Sequence, residues 1–471
     1  MTIFTLGHRL VQDYSHYVQS FLTIQDDRIR RFLELELLEK DRLWPEALLQ
    51  LNPAYERVAT VADLCRSGRL HPLLEQVFYD RARKESLRLY RHQREAIGLA
   101  LNGEPFIVTS GTGSGKSLTY LLPIFDYVLR HRPEKHRVQA IIVYPMNALV
   151  NSQFDALSQW EQGFRERTGQ ELPVRFKKYT GQELEERPEI QRDPPHILLT
   201  NYVMLELMLV RPDERNFVDR AAAELQFLVL DELHTYRGRQ GADVSLLVRR
   251  LRERCGNPNL LCIGTSATMV AGRGLEAAER RQAVAEFGSR IFGVGVEPRQ
   301  VVEERLQRVA PSAVIPEAGA LRRAVQAPPP ETAAELLASP LTAWIEGTFG
   351  VYQEPDANLR RRTPITIQRG AEELARVTGL DQALCDQELR AYFLKGIREK
   401  LPDDKPIFAF KLHYFGAGAG GLCHPPAAGR PAPHAGGAVL RPGRRGRTTR
   451  PVSAGLLPGV RARVLCSAAP R

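Results

Sequence analysis

The chain has 471 residues, of which 43% are hydrophobic and 25% charged, the usage of an ordinary globular protein of roughly three domains. The formal net charge is +10, but nine arginines and no acidic residue fall within residues 421–471, so residues 1–420 carry only +1. No apolar run approaches the roughly 18 to 20 residues of a membrane span, no secretory signal is visible, and six scattered cysteines form no CxxC pair. These features argue against a membrane protein and a disulfide scaffold, and they predict a reducing, cytoplasmic location.

The first 85 residues have the periodicity of helices. Ile29, Phe32, Leu33 and Leu37 recur at helical spacing, and Pro45 can open a further helix at its first turn. We therefore predict a helical N-terminal segment over residues 1–85.

From residue 86, short apolar runs alternate with longer helical patterns. Most of these runs are continuously apolar, which is typical of strands buried on both faces of a parallel sheet with helices as crossovers. The predicted strands are Phe106–Thr109, Ala140–Tyr144, Val174–Tyr179, Ile197–Thr200, Phe227–Leu230 and Leu260–Gly264. The predicted fold class is α/β, with one parallel-sheet domain over residues 86–297.

The remaining sequence divides into two parts. Residues 298–420 form a predicted accessory or linker region that is mostly helical, for example over Ala371–Val377 and Gln387–Ile397. In residues 421–471, 34 of 51 positions are Ala, Gly, Pro or Arg, so we predict a disordered tail. The cysteines and histidines of this tail are too irregularly spaced to predict a metal site.

A glycine-rich loop, Ser110–Ser117, follows the strand Phe106–Thr109 and precedes an apolar helical pattern. In this context backbone N–H groups and a helix N-terminus wrap a polyphosphate. Lys116 would reach the β- and γ-phosphates, and Ser117 would offer its hydroxyl to Mg²⁺. Ser110 stands where the general pattern has glycine, a mild departure because the turn needs a small residue. The residues predicted to bind ATP in the loop are Gly111, Thr112, Gly113, Ser114, Gly115, Lys116 and Ser117.

An acidic pair follows the apolar strand Phe227–Leu230. Ligands bind at the carboxyl ends of strands in open α/β sheets, so Asp231 is predicted to hold Mg²⁺ together with Ser117. Glu232 would orient and polarise the attacking water. A solvated acidic pair at a strand end is the alternative, and the phosphate loop upstream favours the catalytic interpretation.

These residues, in this order, resemble the superfamily 2 helicases, the DEAD/DEAH-box proteins. Residues 90–93 resemble the Q motif, which implies that Gln93 reads the adenine edge of ATP. Asp231–His234 (DELH) is similar to the DExH form of motif II, which adds His234 to the catalytic residues. Ser266, Ala267 and Thr268 resemble the SAT motif, which in the family couples ATP hydrolysis to strand separation. The resemblance implies a RecA-like fold, ATP and Mg²⁺ as cofactors, and an ATP-dependent helicase.

Three further segments resemble the motifs with which this family touches the nucleic-acid backbone: residues 144–149, 179–181 and 200–201. A motor that ignores base sequence should hold phosphate and sugar, so local contacts matter more than net charge. The predicted nucleic-acid contacts are Pro145, Asn147, Thr180, Gly181, Thr200 and Asn201.

Residues 234–252 (HTYRGRQGADVSLLVRRLR) resemble the large bacterial helicases related to RecQ-like and mitomycin-repair helicases. That resemblance implies DNA rather than RNA as partner, in repair or phage defence. The arginines Arg237, Arg239, Arg249, Arg250 and Arg252 could equally form a solvated basic face. A P-loop ATPase outside the helicases, and a non-catalytic fragment whose basic tail binds nucleic acid, remain alternatives.

The family has a second RecA-like domain, which supplies an arginine finger from a QxxGRxGR-like motif. The sequence shows only an echo of this motif at residues 443–447, without the preceding glutamine. The abrupt change of composition near residue 420 indicates an out-of-frame tail, and a natural basic tail is the alternative. We expect a truncated family member that binds Mg-ATP and nucleic acid weakly, with little ATPase activity and no unwinding.

Overall fold

The computed structural model describes residues 2–20, 25–33, 35, 46–111, 113–131, 137–182, 185–221, 225–267, 276–311, 316–354, 358–401 and 405–414. The chain forms two units. The α/β unit comprises Tyr55–Gln307 and Pro355–Asn358, and the second unit comprises Met1–Ala54, Arg308–Glu354 and the residues from Leu359 onward. Among the described helices, none is both long and apolar enough to cross a membrane.

A seven-stranded parallel sheet forms the centre of the α/β unit. Its strands are β1 (Phe106–Thr109), β2 (Ala140–Tyr144), β3 (Phe176–Tyr179), β4 (Ile197–Asn201), β5 (Phe227–Leu230), β6 (Leu261–Ser266) and β7 (Val301–Glu303). They lie in the order β7-β1-β6-β5-β2-β4-β3, and every neighbouring pair is parallel. All residues of β2 and β5 are buried, as their continuous apolar runs predict. The predicted α/β fold class is confirmed.

Helices cover both faces of this sheet. They are α1 (Val61–Arg66), α2 (Leu73–Val77), α3 (Arg91–Leu101), α4 (Leu118–His131), α5 (Asn147–Thr168), α6 (Arg187–Arg192), α7 (Tyr202–Val210), α8 (Pro212–Ala221), α9 (Gly238–Cys255) and α10 (Ala277–Phe292). Alternate strand residues enter two hydrophobic cores: Ile142 packs in one with α3, α4 and α5, and Val143 packs in the other with α7, α9 and α10. The unit also contains the short strands Arg57–Thr60, Tyr79–Asp80, Glu85–Ser86, Arg88–Tyr90 and Leu306–Gln307, while Ala54–Tyr55 spans the boundary.

The second unit has its own core, in which Trp344, Phe349 and Phe393 are buried. Its α-helices are Ile3–Ser20, Asp27–Leu33, Ala318–Gln326, Ala333–Ala338, Pro340–Ile345, Ile367–Thr378 and Gln382–Arg398, with a π-helical turn at Glu346–Gly350. Its strands are Leu48–Leu51, Val351–Gln353, Leu359–Arg361, Ile365–Thr366 and Phe410–His413. The two helices predicted near residues 371 and 387 lie within observed helices.

The observed units differ from the predicted divisions at residues 85 and 297. Strand β7 lies beyond residue 297 and pairs with β1, with Val302 opposite Val108. Leu48–Leu51 is a strand between Ile365–Thr366 and Phe410–His413, although the sequence predicts helices there. Both strands depend on partners about 190 to more than 300 residues away, which local periodicity does not show. Leu37, Pro45 and the tail 421–471, predicted to be disordered and out of frame, lie outside the described residues.

Candidate nucleotide and nucleic-acid site

The strand order sorts the predicted motifs into two neighbouring groups. Strands β1, β6 and β5 are adjacent, and they lead into the phosphate loop, the SAT segment and the acidic pair. Strands β2, β4 and β3 are also adjacent, and they lead into the three segments predicted to touch nucleic acid. All six strands are parallel, so their carboxyl ends meet at one edge of the sheet. The groups join where β5 pairs with β2, and there the Asp231 N–H donates to the Val143 carbonyl at 2.9 Å.

The phosphate loop begins directly after β1. Gly113 and Gly115 have φ values of 83° and 71°, a left-handed conformation that glycine adopts without steric penalty. A Cβ at Gly115 would also lie 2.6 Å from Nε2 of Gln93. The hydroxyls of Ser110 and Ser114 lie 2.6 Å apart and close the loop. Thr112 lies outside the described residues.

Lys116 and Ser117 end the loop, and both already have polar partners. The Lys116 ammonium donates to the Ser110 carbonyl at 3.0 Å and lies 3.4 Å from the Gly111 carbonyl. The Ser117 hydroxyl donates to Oε1 of Gln153 on α5 at 3.0 Å. Gln153 is not among the predicted site residues. The sequence feature that could have identified it is its position shortly after residues 144–149, which resemble a family motif.

Glu304 is a second residue that the sequence did not identify. It follows β7, and its carboxylate accepts a hydrogen bond from the Gly111 N–H at 2.9 Å. Residues 111 and 304 are far apart in sequence, and they meet because β7 pairs with β1. The edge strand therefore anchors the start of the phosphate loop.

Gln93 braces the backbone of the loop. Its Oε1 accepts from the Tyr90 N–H at 2.8 Å, and its Nε2 donates to the carbonyls of Gly115 and Ser114 at 2.9 and 3.2 Å. Burial lowers the pKa of the neighbouring His92 to about 4, so this imidazole is neutral at pH 7. Both polar ends of the Gln93 amide thus contact backbone, and adenine recognition by Gln93 stays a prediction.

We expect Gln93→Glu to weaken the binding of ADP and GDP alike, roughly tenfold each. A carboxylate oxygen would face the two loop carbonyls in place of an N–H donor, which loses one or two hydrogen bonds to the loop. Titration with fluorescent ADP and GDP derivatives measures this, with Glu95→Gln on the exposed face of α3 as the control. A selective loss of ADP binding would instead show that Gln93 acts on the base.

Asp231 lies at the end of β5 and is buried. Burial raises its pKa to about 6; a hydrogen bond from the Thr265 hydroxyl opposes this shift, and the adjacent Glu232 carboxylate adds to it. One carboxylate and the Ser117 hydroxyl are ligands that suit Mg²⁺, because this ion binds largely through water and substrate phosphates.

Glu232 has φ 53° and ψ 51°, a left-handed conformation that is uncommon outside glycine. Its Oε2 lies 3.2 Å from Nδ1 of His234, and the same nitrogen lies 3.2 Å from the Ser266 hydroxyl. The strained turn therefore places DELH in contact with the SAT segment. Ala267 is half-buried at the end of this segment, and Thr268 lies outside the described residues.

The segments predicted to touch nucleic acid lie together at the carboxyl ends of β2, β4 and β3. Asn147 opens α5, and its Oδ1 accepts from Nδ2 of Asn201 at 2.6 Å. Asn201 in turn caps α7 by accepting from the Met204 N–H at 2.7 Å. Pro145 is half-buried and Gly181 exposed. The structure thus joins the segments after β2 and β4 through a side-chain pair.

The two predicted threonine contacts are buried. The Thr200 hydroxyl donates to the Tyr179 carbonyl at 2.6 Å, and the Thr180 hydroxyl accepts from the Gln182 N–H at 3.2 Å. The Thr200 hydroxyl thus joins the end of β4 to the end of β3, whereas the Thr180 hydroxyl bonds within its own segment. Direct contact of either hydroxyl with nucleic acid stays a prediction. On α9, the guanidinium of Arg252 donates to the Phe292 carbonyl at 3.2 Å, while Arg237, Arg239, Arg249 and Arg250 are exposed.

Residues 90–273 match the DEAD/DEAH box helicase family. These residues form a DEAD/DEAH-box helicase domain. The RecA-like fold and the resemblance to ATP-dependent helicases are thereby confirmed for the α/β unit. The matched segment runs from the Q motif to beyond the SAT motif.

Several known proteins resemble the chain. The Druantia protein DruE of Escherichia coli is 25% identical across 55% of this chain and 20% of its own length. The ATP-dependent helicase HRQ1 of Saccharomyces cerevisiae is 32% identical across 39% of this chain and 17% of its own length. A crystal structure of the helicase MrfA bound to DNA has a TM-score of 0.42 and 24% identity, covering 55% of this chain and 30% of MrfA. The chain thus spans about a fifth of the length of these two curated relatives.

Proposed function

We propose that the helicase domain binds Mg-ATP and a single strand of DNA at the carboxyl edge of its sheet, as the motor segment of an ATP-dependent helicase. The observation that supports the proposal is the strand order, because the strands that lead into the predicted nucleotide segments are adjacent to those that lead into the predicted nucleic-acid segments. Residue Cys262 and the other described cysteines are buried, and the cysteine usage favours work in the reducing cytoplasm.

The residues of the nucleotide group would divide the chemistry among them. Lys116 exchanges its two carbonyl partners for phosphate oxygens, while Ser117 and Asp231 hold Mg²⁺, which when bound neutralises phosphate charge. Glu232 orients the attacking water. His234 contacts both this carboxylate and the Ser266 hydroxyl. A change at the phosphates would therefore alter the contacts at the end of β6.

Helix α5 offers a direct link between the two groups. Its Gln153 accepts the Ser117 hydroxyl hydrogen, and its first residue, Asn147, holds Asn201. A shift of Ser117 on nucleotide binding would therefore reach the residues proposed to hold the strand. The N–H groups at the start of α5 have no side-chain cap and suit a phosphate.

We assign DNA rather than RNA as the partner because residues 234–252 resemble the branch of DNA-repair helicases. A P-loop ATPase outside the helicases is less well supported, since the contact between His234 and Ser266 links DELH to a helicase motif.

The test is equilibrium binding by the whole chain. We expect Mg²⁺-dependent binding of a fluorescent ATP analogue, and binding of labelled oligo-dT that is tighter than binding of oligo-rU of the same length. Asn201→Ala and Asn147→Ala should weaken oligo-dT binding roughly tenfold, because each removes one partner of the pair that holds the strand ends. Asn259→Ala, in the exposed turn before β6, is the control. Failure to bind either ligand, or equal oligo-dT affinity in all variants, would contradict the proposal.

A further inference from the structure

A buried polar cluster, here called the β3-end cluster, lies next to the Tyr179–Gly181 segment. It comprises Tyr179, Arg187, Gln191 and Glu214. The Tyr179 hydroxyl donates to the Glu214 carboxylate, and Nε2 of Gln191 lies 2.9 Å from this hydroxyl and 3.2 Å from Glu214 Oε2. The side chains of Glu214 and Arg187 are only 7% and 16% exposed. The ion pair of Arg187 and Glu214 is thus largely buried next to a segment that is predicted to touch nucleic acid.

Arg187 connects this cluster to the backbone of the motif. Its Nη1 lies 3.4 Å from Glu214 Oε1, and its Nη2 donates to the Thr180 carbonyl at 3.0 Å. The guanidinium carbon lies 5.6 Å from the centre of the Tyr179 ring. A planar guanidinium can make both contacts at once, because its N–H groups form a rigid fork. Arg187 therefore fixes the orientation of the Thr180–Gly181 peptide from its buried side.

The cluster is a poor source of stability. Removing two charges from water offsets much of their attraction, and buried ion pairs are often replaceable by apolar groups without loss of stability. Among the described residues, Nε of Arg187 has no hydrogen-bond acceptor, which adds to the desolvation penalty. A role in fixing geometry explains the arrangement better than a role in folding.

We propose that Arg187, held by Glu214, is a positioning residue that fixes the Thr180–Gly181 backbone for contact with the phosphodiester chain of a nucleic-acid strand. Gly181 is exposed and has no side chain, so its backbone is open to a phosphate. This inference rests on the proposed function of the carboxyl edge and adds residues that do not themselves touch the strand.

The test compares two replacements of Arg187. In Arg187→Met with Glu214→Leu, apolar groups of similar size replace both charges, while the Tyr179 hydroxyl and the Thr180 carbonyl each lose a partner. The melting temperature should therefore fall only modestly, and affinity for the fluorescent ATP analogue should not change. Oligo-dT affinity should fall roughly tenfold, while the slope of log K against log salt should stay unchanged, because the contact that is lost is made by a neutral backbone N–H and the double variant keeps the net charge of the protein. Arg187→Lys keeps a charge beside Glu214 but lacks the fork, so it should weaken oligo-dT binding similarly.

Either folded variant binding oligo-dT with unchanged affinity would overturn the inference, and so would a smaller salt slope in the double variant, because that would show that Arg187 itself contacts a phosphate. If the double variant does not fold, Arg187→Lys alone decides the question in the same two measurements. The control is Arg254→Met with Asp219→Leu, which removes an ion pair elsewhere in the α/β unit. If Asn201→Ala weakens oligo-dT binding and the Arg187 variants do not, this inference fails while the proposed function stands.

Discussion

Asp231→Asn is expected to abolish the Mg²⁺ dependence of nucleotide binding and, at the same time, to stabilise the protein at neutral pH. The amide has no charge with which to hold Mg²⁺, yet its oxygen can still accept the hydrogen bond that the Thr265 hydroxyl donates to the carboxylate. Loss of the charged metal-holding group should weaken binding of the fluorescent ATP analogue in the presence of Mg²⁺ roughly 10- to 100-fold, because a charge-assisted interaction is worth about 1.5 to 3 kcal/mol. Nucleotide affinity and stability should therefore change in opposite directions.

The pH dependence follows from the raised pKa of Asp231. Burial raises this pKa from 3.8 to about 6, so the folded protein holds the proton more tightly than the unfolded chain. The stabilisation that results from protonated Asp231 is fully present below pH 3.8 and is lost as the pH rises through about 6. A pKa shift of this size corresponds to a change in the free energy of unfolding of the order of 3 kcal/mol. The stability of Asp231→Asn should not decrease with pH in this way. The variant should therefore be more stable than the wild-type protein chiefly at pH 7 and above.

Urea unfolding between pH 4 and pH 8 measures the difference in stability, and titration with the fluorescent ATP analogue, with and without Mg²⁺, measures nucleotide binding. Asp243→Asn is the matched control, because Asp243 is exposed on α9. A variant whose stability falls with pH as steeply as that of the wild-type protein would show that Asp231 is not the group responsible.

Lys116→Ala is expected to weaken nucleotide binding roughly 10- to 100-fold while leaving stability nearly unchanged. The ammonium is hydrogen-bonded to the Ser110 carbonyl and lies near that of Gly111, which are contacts that water can replace. A charge-assisted hydrogen bond to phosphate is worth about 1.5 to 3 kcal/mol, which gives the expected factor. Titration with the fluorescent ATP analogue and a melting curve measure the two effects.

The control for this variant is Lys177→Ala, which removes an ammonium from an exposed ion pair with Glu186. It should bind the analogue like the wild-type protein. Unchanged affinity in Lys116→Ala would remove Lys116 from the phosphate site, whereas a large fall in melting temperature would show that its loop contacts are structural.

The sequence by itself determined the phosphate loop, the acidic pair and the central strands. The loop and the DELH segment are each read from consecutive residues, and their function depends on backbone geometry that such short segments specify. Strands β2 and β5 are fully buried, and β1 and β4 are apolar up to the polar residues at their carboxyl ends, so the positions of all four were recognisable to within a residue.

The tertiary structure alone decided which distant side chains complete the site. Glu304 reaches Gly111 across 193 positions because β7 pairs with β1, and Gln153 reaches Ser117 because α5 packs beside β2. The cluster of Arg187 and Glu214 likewise depends on how α6 and α8 meet at the end of β3. Short apolar strands resemble one another in sequence and do not encode their order in the sheet. The order β7-β1-β6-β5-β2-β4-β3, and with it the two neighbouring groups of motifs, therefore became visible only in the folded chain.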